Sequence, residues 1–255
     1  MKTHIIAFAN HKGGVGKTTT TATLGSIISR VGVKTLLVDL DAQCNLTDTF
    51  ISEAPEFSVY EMFKDRKAYQ PVKVADNLDL IPANLDMSAL DMMLSSCYEK
   101  ERILADVISQ LSIEDNYDLV LLDCPPSLGI VTVNALVAAT DIYVPIAPEF
   151  YPVKGLMKLE EICSMVSQRL NPGIGINGVI VTKYNPSKKL FVEVDKKLRD
   201  TYGDKVFKTR IRENVKLAEA PMQRKDIVTY APGSNGAVDY INLAKEILKR
   251  LKEQE

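Results

Sequence analysis

Residues 12–19, Lys-Gly-Gly-Val-Gly-Lys-Thr-Thr, put three glycines, two lysines and two threonines one residue after the apolar run HIIAFAN (4–10). Those residue types in that order suit a polyphosphate. Gly13, Gly14 and Gly16 let the backbone wrap closely, and the N–H groups of 13–18, Val15 included, converge at the start of a helix with its dipole behind them. Lys17 offers a point charge to the β- and γ-phosphates, the Thr18 hydroxyl is a ligand for Mg²⁺, and Thr19 is expected to reach the α-phosphate. The usual spacing G-x-x-x-x-G-K-[ST] puts its first glycine at position 11, where this chain has His11. Beside it stands the second lysine, Lys12. Two ammonium groups crowd poorly onto the same phosphates. Lys17 is fixed inside by the loop, so Lys12 projects from the rim. There it either reaches the nucleotide of a facing subunit or is simply solvated.

Three aspartates stand at the ends of apolar runs. Asp123 closes LVLLD, where an acidic residue would hold the Mg²⁺ shell. Asp39 and Asp41 close LLVDLD, and side chains two apart on a strand point the same way, so both are expected to face the phosphates. Ligands bind at the strand C-termini of such sheets.

The elements that must position these residues alternate between short apolar runs and amphipathic stretches. That pattern predicts an α/β fold with a doubly wound, mainly parallel sheet flanked by helices. Strands are expected at 4–10, 34–41, 78–83, 117–126, 141–149 and 176–185. Helices are expected from Lys17 to before Gly32, over 87–111, near 153–170 and over 237–255. The stretch 43–77 is polar and irregular, either a mobile loop with a short helix or a surface excursion. No repeat or linker interrupts the chain, which reads as one domain over 1–255.

The 255 residues are 46 % hydrophobic and 25 % charged, with a net charge of −2. Residues 1–182 hold 14 Lys+Arg against 22 Asp+Glu, and residues 183–255 hold 17 against 11, so the C-terminal third is the basic end. Four scattered cysteines without a C-x-x-C pair, and only two histidines, argue against structural zinc and read as reduced thiols. With no signal peptide and no apolar run of membrane-spanning length, the expected location is cytoplasmic. Lys188, Lys189, Lys196, Lys197 and Arg199 cluster around one predicted helix, followed by Lys208, Arg210, Arg212, Lys216, Arg224 and Lys225. Cations without interleaved aromatics suit salt-sensitive, sequence-blind contact with DNA phosphates; a surplus of this size is equally common on solvated helices.

The loop with its extra Lys12 resembles the deviant Walker A loop of the ParA/MinD family of P-loop ATPases. LLVDLDAQCNLT (36–47), LVLLDCPPSLG (119–129) and VKLAEAP (215–221) are similar to the ParA branch, the short Soj-like kind. The resemblance implies ATP and Mg²⁺ as ligands, with Lys12 crossing an ATP-sandwich homodimer. It makes Lys17 and Thr18 the phosphate and metal residues, and has Asp41 position the attacking water with Asp39 supporting the metal shell. Asp123 becomes the Walker B aspartate and 124–129 a switch loop. It further implies non-specific double-stranded DNA as a partner of the ATP dimer, nucleoid association in that state, and hydrolysis stimulated by a ParB-type centromere-binding protein. The I-P-R-N of many relatives is here Ile211-Arg212-Glu213-Asn214. A MinD-like membrane-cycling or cargo-positioning ATPase is the alternative. It would need a spare amphipathic C-terminal helix, whereas Val238, Ile241, Ala244, Leu248 and Leu251 form a stripe expected to pack on the core. An iron–sulfur carrier of the same superfamily would need paired cysteines, and Cys97 and Cys124 are not flanked for it.

Overall fold

The computed structural model describes residues 3–115, 117–148 and 152–254. β1 (His4–Phe8) leads through the glycine loop into α1 (Lys17–Ser29), followed by β2 (Thr35–Asp39), α2 (Asn45–Phe50), α3 (Val59–Asp65), β3 (Val72–Ala75) and β4 (Leu78–Ile81). A 3₁₀ turn (Leu85–Ala89), α4 (Leu90–Met93) and α5 (Ile103–Asp115) come next, then β5 (Leu119–Asp123), α6 (Ile130–Ala138) and β6 (Asp141–Ile146). The last part holds α7 (Pro152–Arg169), β7 (Ile176–Tyr184), α8 (Lys189–Tyr202), β8 (Val206–Arg212), α9 (Lys216–Met222), α10 (Ile227–Tyr230) and α11 (Asn235–Lys252).

The strands form one sheet in the order β3-β4-β2-β5-β1-β6-β7-β8. Every pairing is parallel except β3 with β4 at one edge. Every residue of β2, β5 and β6 is buried, as expected where helices cover both faces of a parallel sheet. Alternate side chains divide the core: Ile6, Phe8, Leu37, Leu119 and Leu121 pack with Leu24 and Ile28 of α1 and Leu243 and Ile247 of α11. Leu36, Val38, Val120 and Leu122 face the other way, toward residues of α3, α5, α6 and α7. This is the doubly wound arrangement.

Register sets the site. Phe8 and Asp39 both lie opposite Asp123, so the glycine loop and two aspartates leave the sheet at one level.

Some expected elements differ. The helix over 87–111 is broken: α4 ends at Met93, turns follow, Glu99 takes a left-handed φ of 51°, and α5 starts only at Ile103. The strands β3 and β8 were not anticipated, and 43–77 holds two helices rather than one. The C-terminal helix buries Ala237, Tyr240, Leu243, Ala244, Ile247 and Leu251, while Val238 is 43 % exposed, so the apolar face is rotated from the expected stripe. It faces the core nonetheless. Glu149 and Glu255, the expected ends of a strand and of the last helix, lie outside the described residues.

Candidate active site

Gly14 and Gly16 have φ of 72° and 90°, left-handed values that a side chain would strain, and Gly16 is the N-cap of α1. α1 therefore begins with no side-chain cap, and its first residues line the cleft. The loop is held at three points. Asn10, 8 % exposed, donates from Nδ2 to the Pro145 carbonyl (2.8 Å) and accepts from the Lys12 amide (3.0 Å). Thr182, in the last part of β7, donates to the Val15 carbonyl (2.8 Å). The Thr20 hydroxyl meets that of Tyr240 on α11 (2.9 Å).

Lys17 is buried, with its ammonium 3.4 Å from the Lys12 carbonyl oxygen it faces. Burial lowers its pKa, and Asp123, Cys124 and Asp41 oppose that shift. Lys12 itself is exposed on the rim. Asp123 is fully buried, and neither of its carboxylate oxygens has a hydrogen-bond partner among the described residues. Burial raises its pKa well above the carboxylate range, with Asp39 adding to the rise. The Thr18 hydroxyl comes near enough to offset part of the shift without closing a hydrogen bond, and Lys17 offsets a smaller part. An oxygen pair left orphaned at this depth is a costly feature. A divalent cation that seeks oxygen ligands fits it.

Asp39 and Asp41 differ in burial and in partners. β2 stops at Asp39, so strand alternation does not reach Asp41. Asp39 is fully buried and already engaged: it accepts from the Asp41 amide (3.1 Å), the Thr47 amide (2.9 Å) and the Thr47 hydroxyl (2.7 Å). Burial raises its pKa to about 6 against the pull of those bonds. Asp41 instead lines the cleft.

That cleft, of about 730 Å³, runs from Gly13, Gly14, Gly16, Lys17, Thr18 and Thr19 past Asp41 and Pro126 to a second wall. The second wall is made by Ile211, Asn214, Val215, Leu217, Ala218, Pro221 and Met222, with Tyr240 beneath. A phosphate cradle at one end and a mixed apolar wall at the other match a nucleotide's own polarity.

Residues 3–176 match the family described as AAA domain. The chromosome-partitioning ATPase Soj of Thermus thermophilus is 39 % identical over 252 residues, 99 % of this chain and 98 % of that protein. The sporulation initiation inhibitor protein Soj of Bacillus subtilis is 37 % identical over 95 % of this chain and 97 % of its own length. This chain belongs to the Soj/ParA family of P-loop ATPases. Among solved structures, a cobyrinic acid a,c-diamide synthase from Mycobacterium smegmatis with bound ADP and magnesium aligns at TM-score 0.84 and 30 % identity, covering 100 % of this chain and 97 % of that one. A plasmid partition protein from Borrelia burgdorferi shares the fold at TM-score 0.83 and 24 % identity.

In this Soj/ParA-family chain the basic third is less available than its composition suggests. Arg212 makes a two-pronged ion pair with Asp239 (2.7 Å), Arg199 and Arg210 share Asp195 (3.2 and 2.6 Å), and Lys216 pairs with Glu219 (2.7 Å). Lys188 lies 3.4 Å from Glu213, and Lys225 lines the nucleotide cleft. Lys189, Lys196 and Lys197 are exposed on α8, and Arg224 is exposed beyond α9.

Sequence reasoning missed Asn10, Thr182 and Thr47. Thr182 carried the same signal as Asp123, a polar residue ending an apolar strand; Thr47 carried none, because only the fold brings it to Asp39.

Proposed function

We propose that the chain is an ATP-hydrolysing DNA-partition switch. ATP enters the cleft with Mg²⁺, two copies close face to face over their nucleotides, and the closed homodimer binds double-stranded DNA without sequence preference. Hydrolysis, stimulated by a ParB-type partner, releases it. The observation that carries this reading is the left-handed glycine loop standing beside Asp123, a buried carboxylate with both oxygens unpartnered. A nucleotide with its cation answers both at once. The names of the Soj relatives and the ADP and magnesium of the Mycobacterium smegmatis neighbour support it.

In this reading Thr18 and Asp123 hold Mg²⁺, which neutralises phosphate charge when bound. Lys17 serves the inner phosphates and the amides of 13–19 cradle them. Asp41 orients the attacking water, and Asp39 holds the Asp41 amide rather than joining the metal shell. The wall at Asn214 and Pro221 receives the adenine. Lys12 reaches the facing subunit's nucleotide as an arginine finger does, which explains two lysines in one loop. Turnover is slow alone, since among the described residues no glutamine lines the cleft and its one arginine, Arg212, is held by Asp239. The ATP dimer is nucleoid-associated. Against a MinD-like membrane cycle stands α11, whose apolar face is occupied by the core.

ATP turnover per subunit, measured against protein concentration for wild type and Lys12→Ala, tests the reading. Turnover is expected to rise with concentration in wild type and stay flat in Lys12→Ala, with ATP still bound. A wild-type rate independent of concentration would contradict it.

A further inference from the structure

The loop 124–129 joins Asp123 to α6, and one of its residues, Pro126, lines the nucleotide cleft. Its near end is fixed to the sheet, where the Cys124 amide donates to the Phe8 carbonyl (3.3 Å). Its far end meets a residue from a different element. Asp91, on α4, accepts the first helical amide of α6, that of Ile130, at 3.1 Å.

Two features show that this contact is built into the packing. The N-cap of α6 is Gly129, which has no side chain to satisfy the amides there. Asp91 supplies from outside the acceptor and negative charge that an N-terminus favours. The carboxylate also packs directly on Gly129: a Cβ there would lie 2.7 Å from Asp91 Oδ2 and 3.0 Å from Oδ1, so a side chain would displace it. Its φ of −79° is one any residue adopts, so what a side chain there would disturb is the approach of the carboxylate and not the backbone. α4 is seated for the task by Leu90 and Leu94, both buried, whereas Asp91 and Met92 are turned outward. The Thr132 hydroxyl adds a bond to the Ser127 carbonyl (2.6 Å), tightening the same end.

We propose that Asp91 is a positioning residue for the nucleotide reaction, a latch from α4 that holds the far end of the 124–129 loop and so fixes Pro126 and its neighbours against the cleft. The inference rests on the ATPase reading above. Releasing the latch leaves the glycine loop intact, so nucleotide affinity is retained while turnover suffers from a loose loop.

The loop carries its own reporter. Cys124 is 1 % exposed at the start of the loop, and Cys163 is 4 % exposed on α7. In a Cys44→Ser/Cys97→Ser background these are the remaining thiols. Asp91→Ala is expected to lower kcat about ten-fold with the Kd for ATP changed less than about two-fold, and to speed labelling of Cys124 but not Cys163. Gly129→Ala, which pushes the carboxylate away, is expected to do the same. Adding it to Asp91→Ala should cost nothing further, since both changes break one contact; Asp91→Glu should restore part of kcat. Unchanged kcat with unchanged Cys124 labelling would overturn the latch. So would Cys163 becoming reactive in step with Cys124, which marks general loosening, or fully additive effects of the two variants. If wild type itself hydrolyses no ATP, the ATPase reading fails, while thiol labelling still reports whether Asp91 holds the loop.

Discussion

Asp123 and Asp239 are both buried carboxylates, and the fold treats them in opposite ways. Asp239 accepts from the Arg212 amide and from two guanidinium nitrogens. Asp195 is likewise paired, with Arg199 and Arg210, and those bonds hold its pKa below the usual value despite burial. Asp123, beside the glycine loop, is deeper than either and accepts no hydrogen bond among the described residues. Folding gains nothing from burying an unpartnered carboxylate. Those two acids of the C-terminal third are committed to the chain's own arginines, whereas Asp123 beside the glycine loop is left without a partner among the described residues. A paired carboxylate is evidence about stability, an orphaned one about function.

The contrast breaks most visibly at Lys17. Lys17→Ala should weaken ATP binding about 100-fold, the loss of a charged contact, in a calorimetric titration. If affinity survives, the cleft does not bind phosphate as described.

Next in size is a pair of substitutions with opposite signs. Asp123→Asn should raise the stability of the ligand-free protein by about 1–2 kcal/mol in denaturant melts, because the cost of burying a carboxyl, whether charged or forced to hold its proton, is removed, while abolishing the Mg²⁺ dependence of ATP binding. Asp239→Asn should lower stability by about 1 kcal/mol, a figure kept small because Arg212 remains partly solvated. Equal signs would erase the distinction between the two carboxylates.

How far the sequence disclosed this contrast depends on how local each cause is. The left-handed loop at Gly14 and Gly16 and the buried Lys17 were legible because such a turn is specified by backbone conformation within eight residues. Asp123 was legible from its place at a strand end, and the central strands from unbroken apolar runs. The pairing of Arg212 with Asp239 was not, since residues 27 apart meet only through the packing of β8 on α11. β8 itself, VFKTRIR, read as scattered cations because its outward side chains are charged. The break after Met93 had only Ser95 and Ser96 to announce it, with no glycine or proline. α3 did carry a signal: Ser58 and Glu61 form a capping box, readable as S-x-x-E ahead of the helix.

A smaller effect belongs to Asp39. Its folded pKa, about 6, stands above that of an unfolded aspartate near 3.9. The folded chain therefore binds more protons between those values, and stability falls as pH rises through them, by at most about 3 kcal/mol. Asp39→Asn should flatten that part of the pH–stability curve of the ligand-free protein. An unchanged slope would show that Asp39 ionises freely.

The smallest expected change in stability sharpens the comparison from the other side. Lys189→Ala/Lys197→Ala touches cations for which no carboxylate partner is seen among the described residues, and should alter stability by less than about 0.5 kcal/mol. It should reduce the salt dependence of DNA binding by a log–log slope of about 2. Arg212→Lys, at a two-pronged pair, should do the reverse: cost stability and leave the salt slope alone.

The central claim is that ATP occupancy, more than basic composition, confers DNA binding. The direct measurement is binding to random-sequence duplex DNA with ATP, with ADP and without nucleotide, across a salt series, for wild type and Asp41→Ala. Tight, salt-sensitive binding only with ATP, prolonged in Asp41→Ala, is the predicted result. DNA binding that is equal in all three nucleotide states, or absent from every one while ATP still pairs the subunits, would contradict it.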